Sequence, residues 1–520
     1  MSWQKEVEGI EQRRTLAQQL GGAEAIARHH AQGRLTIRER MAGLVDADSF
    51  REQGPIAGHS ETDAHGELQS FTPGNYLLGF AQIDGRPCVV GGEDFTLRGG
   101  SPSSAGLRKS VYAEELATQF RMPLVRFLEG GGGSVPRSSG KTAGGGEGGA
   151  PVNATPRFMS VMRVMSHVPV VSAALGPVAG LPAARLVASH FSIMTRHTAQ
   201  VMIGGPALVE RAFGRPITKE DLGGPDVHLY SGVVDNVAED EAEVFVQIRR
   251  FLSYLPTNVW EAAPVLPCTD DRNRQEQTLL SIVPRNRRRS YAMRRIVECV
   301  VDRDSFFEIA PFYGPSQITG LARLHGQPVG IMANDPDWYA GSMTADGAQK
   351  VRRFVDLCDT FHLPIISFVD EPGFMIGPEA EQTATIRHGT ATLFAIMQST
   401  VPWASVIVRK VYGVAGAAHF GPGGMVFAWP SAESGALPIE GGVAVAYRRE
   451  IAEAADPEAK RREIEDRLAA QRSPYARAES FSVHDLIDPR RTRPVLCDWL
   501  NWIQPQLRDH RGPRSYTIRP

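Results

Sequence analysis

The feature that most constrains this chain is that it repeats itself. Residues 79–101 read GFAQIDGRPCVVGGEDFTLRGGS and residues 320–342 read GLARLHGQPVGIMANDPDWYAGS. At a constant offset of 241, Gly79, Ala81, Gly85, Pro87, Asp94, Gly100 and Ser101 match Gly320, Ala322, Gly326, Pro328, Asp335, Gly341 and Ser342. The register runs on through Leu116/Leu357, Phe120/Phe361, Pro123/Pro364 and Phe127/Phe368. Further along, at an offset of 233, VPVVSAALGPVAG (168–180) matches VPWASVIVRKVYG (401–413), and DADSF (46–50) echoes DRDSF (302–306). Shared turn chemistry in unrelated domains would not keep one register through so many glycines and prolines. Two copies of one domain follow, with bounds 1–260 and 275–520 and a boundary inside the proline- and charge-rich stretch near 255–285.

Each copy has the same grammar. A hairpin-like pair is followed by a helix, a short buried strand (MPLVRFLE or LPIISFVD), another helix and a second buried strand that runs into glycine. Strands alternating with helices at this spacing predict an α/β fold, with chemistry at the strand ends. Gly180 and Gly413 stand at equivalent places, each between a strand and a helix-forming segment. Such a turn can point backbone N–H groups at a developing oxyanion, although strand-to-helix turns also use glycine for sterics alone.

Composition excludes more than it assigns. The net charge of -2 gives no global case for nucleic-acid or membrane partners. Cys88, Cys268, Cys299, Cys358 and Cys497 form no CxxC pair, so inert thiols are expected rather than a zinc or disulfide framework. No apolar run reaches the roughly 18 residues of a membrane span, and the start lacks a secretory pattern, so a cytoplasmic location is expected. No metal is expected, His29 and His30 being placed on an exposed N-terminal helix. The arginine-rich RNRRRSYAMRR (285–295) is read as a solvated linker or subunit contact rather than a nucleic-acid patch. The segment SVPRSSGKT ends like a phosphate-binding P-loop, but Val135 occupies the place of the required glycine, so no ATP is expected there.

Longer blocks carry a resemblance. GRLTIRERMAGLVDADSF, DLGGPDVHLYSGVVDNVAEDEAE, VDEPGFMIGPEAEQTATIRHGTATLFA, FAWPSAE and HDLIDPRRTR occur in the order found in carboxyltransferase (β) subunits of biotin-dependent acyl-CoA carboxylases. The chain resembles that family, of propionyl-CoA and methylcrotonyl-CoA carboxylase type, over nearly its whole length. The resemblance implies tandem crotonase-like domains of the ClpP/crotonase superfamily, built from β-β-α superhelical units. It implies acyl-CoA on the N-terminal half and carboxybiotin on the C-terminal half. It also implies a homo-oligomer, usually a hexamer, with active sites between subunits and a biotin carboxylase and biotin carrier supplied by another chain.

Carried over by position, one oxyanion hole uses the amides of Gly180 and Leu181 and the other those of Val414 and Ala415. The family usually has glycine where this chain has Leu181 and Val414; a backbone donor survives either change. The CoA side is assigned to Arg98, Gly99, Gly100, Ser101, Arg108 and Lys109, with Gly131 and Gly132 bordering the acyl pocket and Lys141 as a further cation. The biotin side is assigned to Gly373, Phe374, Tyr412 and Gly413. Asp370 and Glu371, adjacent on a strand, should point to opposite faces and position the site rather than act together. Ala417 and Ala418 suggest room for an acyl chain longer than acetyl. A decarboxylase or transcarboxylase subunit, or a non-catalytic assembly subunit, remain the alternatives.

Overall fold

The computed structural model describes residues 2–131, 157–470 and 473–514. They fall into two compact units, the first running to Glu261 and the second spanning Ala262–Gly512. The segment before residue 275 is bonded into the second unit, where Arg493 donates to the carbonyls of Asp270 and Asp271.

The first unit is built on a sheet ordered Arg51–Glu52, Tyr76–Ile83, Arg86–Glu93, Leu124–Gly130, Val170–Ala179, Phe191–Thr195, Asn236–Ala238, with Gln200–Met202 also pairing on Val170–Ala179. Its first two pairings are antiparallel and the rest parallel. The second unit repeats this order and these senses with Phe307–Ile309, Gln317–Leu324, Gln327–Asn334, Ile365–Glu371, Trp403–Tyr412, Met425–Ala428 and Asp485–Leu486, Glu433–Gly435 lying beside Trp403–Tyr412. The parallel central strands are buried on both faces, which is why they read as continuous apolar runs rather than as alternation.

The repeated residues are those the backbone cannot replace. Asp84–Gly85 and His325–Gly326 close the two hairpins with both residues left-handed, the geometry of a tight two-residue hairpin turn. Each turn is capped by the aspartate of the echoed motif. Asp46 accepts the amides of Asp84 (3.0 Å) and Gly85 (2.7 Å), and Asp302 those of His325 (2.8 Å) and Gly326 (2.7 Å). The phenylalanine of the same motif excludes a side chain from the facing strand. A Cβ on Gly79 would lie 2.5 Å from the Phe50 ring, and one on Gly320 2.7 Å from the Phe306 ring. Long helices then cover the sheets: Ser104–Phe120, capped by Ser103, and Ala345–Thr360, capped by Thr344.

Candidate functional site: paired strand-end turns

Both central strands end in the same device. Val170–Ala179 runs into Gly180 (φ 67°), which starts the helix Leu181–Val187 with Pro182 in its first turn. Trp403–Tyr412 runs into Gly413 (φ 60°), followed by Val414 and the 3-10 turn Ala415–His419. Glycine is needed here because the left-handed region opposes a Cβ. The Gly413 N–H donates to the Gly435 carbonyl at 3.2 Å. The next amides stand at first-turn positions, where a helix offers them no acceptor. Val414 is 61% exposed and Leu181 is half-buried.

The strand paired beside each of these central strands, Leu124–Gly130 or Ile365–Glu371, carries buried carboxylates at its end that are bonded to protein partners. Asp370 accepts Tyr291 Oη (2.8 Å), Arg409 (3.1 Å) and the Lys410 N–H (3.0 Å). Glu371 faces a different set, accepting the Asn334 amide (3.0 Å) and the Gly373 N–H (3.0 Å). In the first unit Glu129 accepts from Arg34 and from Arg40 (2.5 Å), and Arg40 also donates to Glu241 (2.7 Å). Among the described residues these carboxylates are committed to protein partners. The Val414 and Ala415 amides lie at the start of the 3-10 turn Ala415–His419.

Arg98, Gly99 and Gly100, assigned to CoA, form a 3-10 turn beside the end of the strand Leu124–Gly130 in the first unit. Arg98, Gly99 and Gly100 are all left-handed, and the turn is pressed onto the strand end: a Cβ on Gly100 would lie 2.5 Å from the Glu129 carbonyl oxygen. The second copy repeats the shape with Tyr339, Ala340 and Gly341, where a Cβ on Gly341 would lie 2.7 Å from the Asp370 carbonyl oxygen. Arg98, Gly99 and Arg108 are exposed, Ser101 is half-buried, and Gly131 is half-buried at the strand end. Lys109 instead turns inward, donating to the Gly54 carbonyl at 3.2 Å, and burial brings its ammonium down to about 8. Gly132 and Lys141 lie outside the described residues.

On the assigned biotin side Phe374 packs on the helix Thr385–Gln398, so closely that a Cβ on Gly389 would meet its ring at 2.2 Å. Tyr412 is buried and its hydroxyl donates to Glu433 at 3.0 Å, so it shapes the turn from below. One reading of the sequence needs correction. His29 is buried, with Nε2 donating to the Leu35 carbonyl at 3.1 Å and lying 3.5 Å from Glu129, and burial lowers its pKa. The 285–295 segment is largely exposed, as expected of a solvated linker, and is tied down at its end: Arg294 binds Glu308 and Asp335, Tyr291 reaches Asp370, and the Arg289 carbonyl accepts Arg409.

Glu93 was not singled out from the sequence. Its carboxylate accepts the Glu129 N–H at 3.2 Å, just as Asn334 accepts the Asp370 N–H at 2.9 Å in the other copy. Burial lifts Glu93 to about 7, with the Arg185 charge pulling it part of the way back. A carboxyl with a raised folded pKa makes the protein lose stability as pH rises from its ordinary value of 4.5 to about 7. Glu93→Gln, which copies the asparagine of the second unit, is expected to remove that loss, about 3 kcal/mol by linkage. Denaturation midpoints at pH 5 and pH 8 check it: the advantage of the variant should grow with pH, and a constant difference would contradict the assignment.

Among the described residues no group of three histidine, cysteine or acidic side chains is placed to hold a metal ion, and no helix is long and apolar enough to cross a membrane. Four of the five cysteines are buried, and burial pushes the thiols of Cys88 and Cys497 up to about 12 and about 11.

The fold is a duplicated crotonase-like one, with a glycine-led turn at the end of a central strand in each half. The chain belongs to the carboxyl transferase domain family, whose model matches residues 28–513, and it is a carboxyltransferase. It is 32% identical to the methylmalonyl-CoA decarboxylase subunit alpha of Veillonella parvula, over 99% of both chains. It is also 32% identical to the propionyl-CoA carboxylase beta chain of Cereibacter sphaeroides, over 93% of both. Among solved structures it matches transcarboxylase 12S, a hexamer described with methylmalonyl-coenzyme A and methylmalonic acid bound. The TM-score is 0.84 at 30% identity, covering 100% of this chain and 97% of that one.

Proposed function

We propose that this chain moves a carboxyl group between biotin, carried on another polypeptide, and the α-carbon of an acyl-CoA. The observation that carries the reading is the duplicated turn, with its first-turn amides after Gly180 and after Gly413. When bound, biotin supplies the carboxyl group on a ureido nitrogen. The amides of Gly180 and Leu181 hold the thioester oxygen as negative charge develops on it, and those of Val414 and Ala415 hold the ureido oxygen. Each donor of this kind contributes about 3 kcal/mol to the transition state. No side-chain nucleophile is required, in keeping with carboxylates that are already paired. The left-handed turn Arg98–Gly100 with Ser101 and the exposed Arg108 is the CoA side, and the Gly373–Phe374 loop with Tyr412 and Gly413 is the biotin side. The working form is a homo-oligomer of hexameric type, completed by a biotin carboxylase and a biotin carrier.

Decarboxylation of a carboxylated acyl-CoA is the second reading, favoured by the full-length match to a methylmalonyl-CoA decarboxylase subunit. Reconstitution separates the two. The protein is combined with a biotin carboxylase, a biotinylated carrier, ATP, bicarbonate and a panel of acyl-CoAs. ATP-dependent fixation of bicarbonate into one of them is the expected result. No fixation, with release of carbon dioxide from a carboxylated acyl-CoA without ATP, would favour the second reading.

A further inference from the structure

Glu371 and His419 meet beneath the second strand-end turn, and both side chains are fully buried. His419 Nε2 donates to Glu371 Oε2 at 3.4 Å, and its Nδ1 lies 2.9 Å from Ser367 Oγ. A neutral imidazole with its proton on Nε2 satisfies both contacts. The His419 carbonyl accepts Ser405 Oγ at 2.6 Å. Glu371 Oε1 accepts the Gly373 N–H at 3.0 Å, while Oε2 also accepts Asn334 Nδ2 at 3.0 Å. One carboxylate thus ties the post-strand loop of Gly373–Phe374 to the 3-10 turn that begins at Ala415 and ends at His419.

The first unit shows that the fold does not need this pair. Gly130 stands where Glu371 stands, at the 241 offset and in the same ladder position after the same register shift. There the network beneath the turn is Arg126 and Arg185 on Glu114, whose carboxylate comes from the helix Ser104–Phe120. A buried carboxylate is unfavourable unless its partners repay the lost hydration; the first copy ends this strand with one, Glu129, and the second with two, Asp370 and Glu371, so the added Glu371 in place of Gly130 points to a local purpose. The order Ser367, His419, Glu371 matches that of a hydrolase triad, but Ser367 has no exposure and cannot meet a substrate.

We infer that Glu371 and His419 are a positioning pair that couples the Gly373–Phe374 loop to the Val414 and Ala415 amides, and so sets how biotin is engaged. The kinetic consequence rests on the proposed carboxyl transfer; the structural coupling does not. Glu371→Gln keeps the volume but places an N–H2 group where a carboxylate oxygen accepted. Amide hydrogen exchange is measured in wild type and variant, together with carboxyl transfer from methylmalonyl-CoA to free biotin. The variant is expected to exchange at least 10-fold faster in both 373–375 and 414–419, with 181–187 unchanged. Its kcat/KM for biotin should fall at least 10-fold, with the KM for methylmalonyl-CoA within twofold of wild type. His419→Leu should reproduce both effects, and His419→Gln, which retains a donor toward Glu371, should restore most of the biotin kcat/KM. These two variants carry the comparison if Glu371→Gln does not fold. Faster exchange in only one of the two segments, or in neither, or equal losses on the biotin and acyl-CoA sides, would overturn the coupling. If wild type transfers no carboxyl group to biotin, the functional reading fails and the exchange pattern alone decides the pairing.

Discussion

Val414→Pro is expected to lower kcat for carboxyl transfer by roughly 100- to 1000-fold, the loss typical of removing one oxyanion donor. The substitution isolates the amide because Val414 has φ -68°, which proline adopts without strain, and is 61% exposed, so no core packing is lost. It stands just ahead of the 3-10 turn, where a missing N–H breaks no helical bond. Val414→Gly retains the amide and should stay within a few-fold of wild type. Single-turnover rates at saturating acyl-CoA check both. Equal activity in all three proteins would remove the Val414 amide from the chemistry.

Arg40→Leu is expected to destabilise the first unit by about 3–5 kcal/mol, the effect of leaving buried charges without their partner. Arg40 donates to Glu241 at 2.7 and 2.8 Å and to Glu129 at 2.5 Å, and all three side chains are buried. Leucine would leave Glu241 with the Leu35 N–H, and Glu129 with Arg34 and the nearby His29. The thermal midpoint of the first unit should fall by roughly 10 °C. Arg14→Leu is the control: its contact with Glu11 is solvent-exposed, and such pairs contribute at most about 1 kcal/mol. Similar small shifts for both variants would show that the Arg40 cluster does not hold the unit together.

How much was legible in the sequence follows from which interactions are local. The duplication and the strand–helix order could be read because turn residues are constrained one by one. Asp46 and Asp302 cap their hairpins, and Phe50 and Phe306 forbid a side chain on Gly79 and Gly320, so the matches survive at a fixed spacing. The divergence of Asp370 and Glu371 was also readable, since strand alternation sends neighbours to opposite faces; their partners are indeed separate. The buried charge networks were not. Arg40, Glu129 and Glu241 are brought together from three distant segments, and nothing at any one of them marks the others. His29 looked exposed because its helix is short and charged, yet it is drawn inward onto the carbonyl of Leu35 beside Glu129. The inward turn of Lys109 depended on the Gly54 carbonyl, which sequence does not place.

On the proposed function, this chain itself catalyses carboxyl exchange between an acyl-CoA and biotin. It is tested most directly with methylmalonyl-CoA labelled with carbon-13 in its free carboxyl group, mixed with the protein and free biotin, without ATP or any other protein. Enzyme-dependent appearance of the label as N-carboxybiotin is expected, with propionyl-CoA formed in equal amount as the ureido proton passes to the α-carbon. Loss of methylmalonyl-CoA without label on biotin, or no reaction across a panel of carboxylated acyl-CoAs, would contradict it.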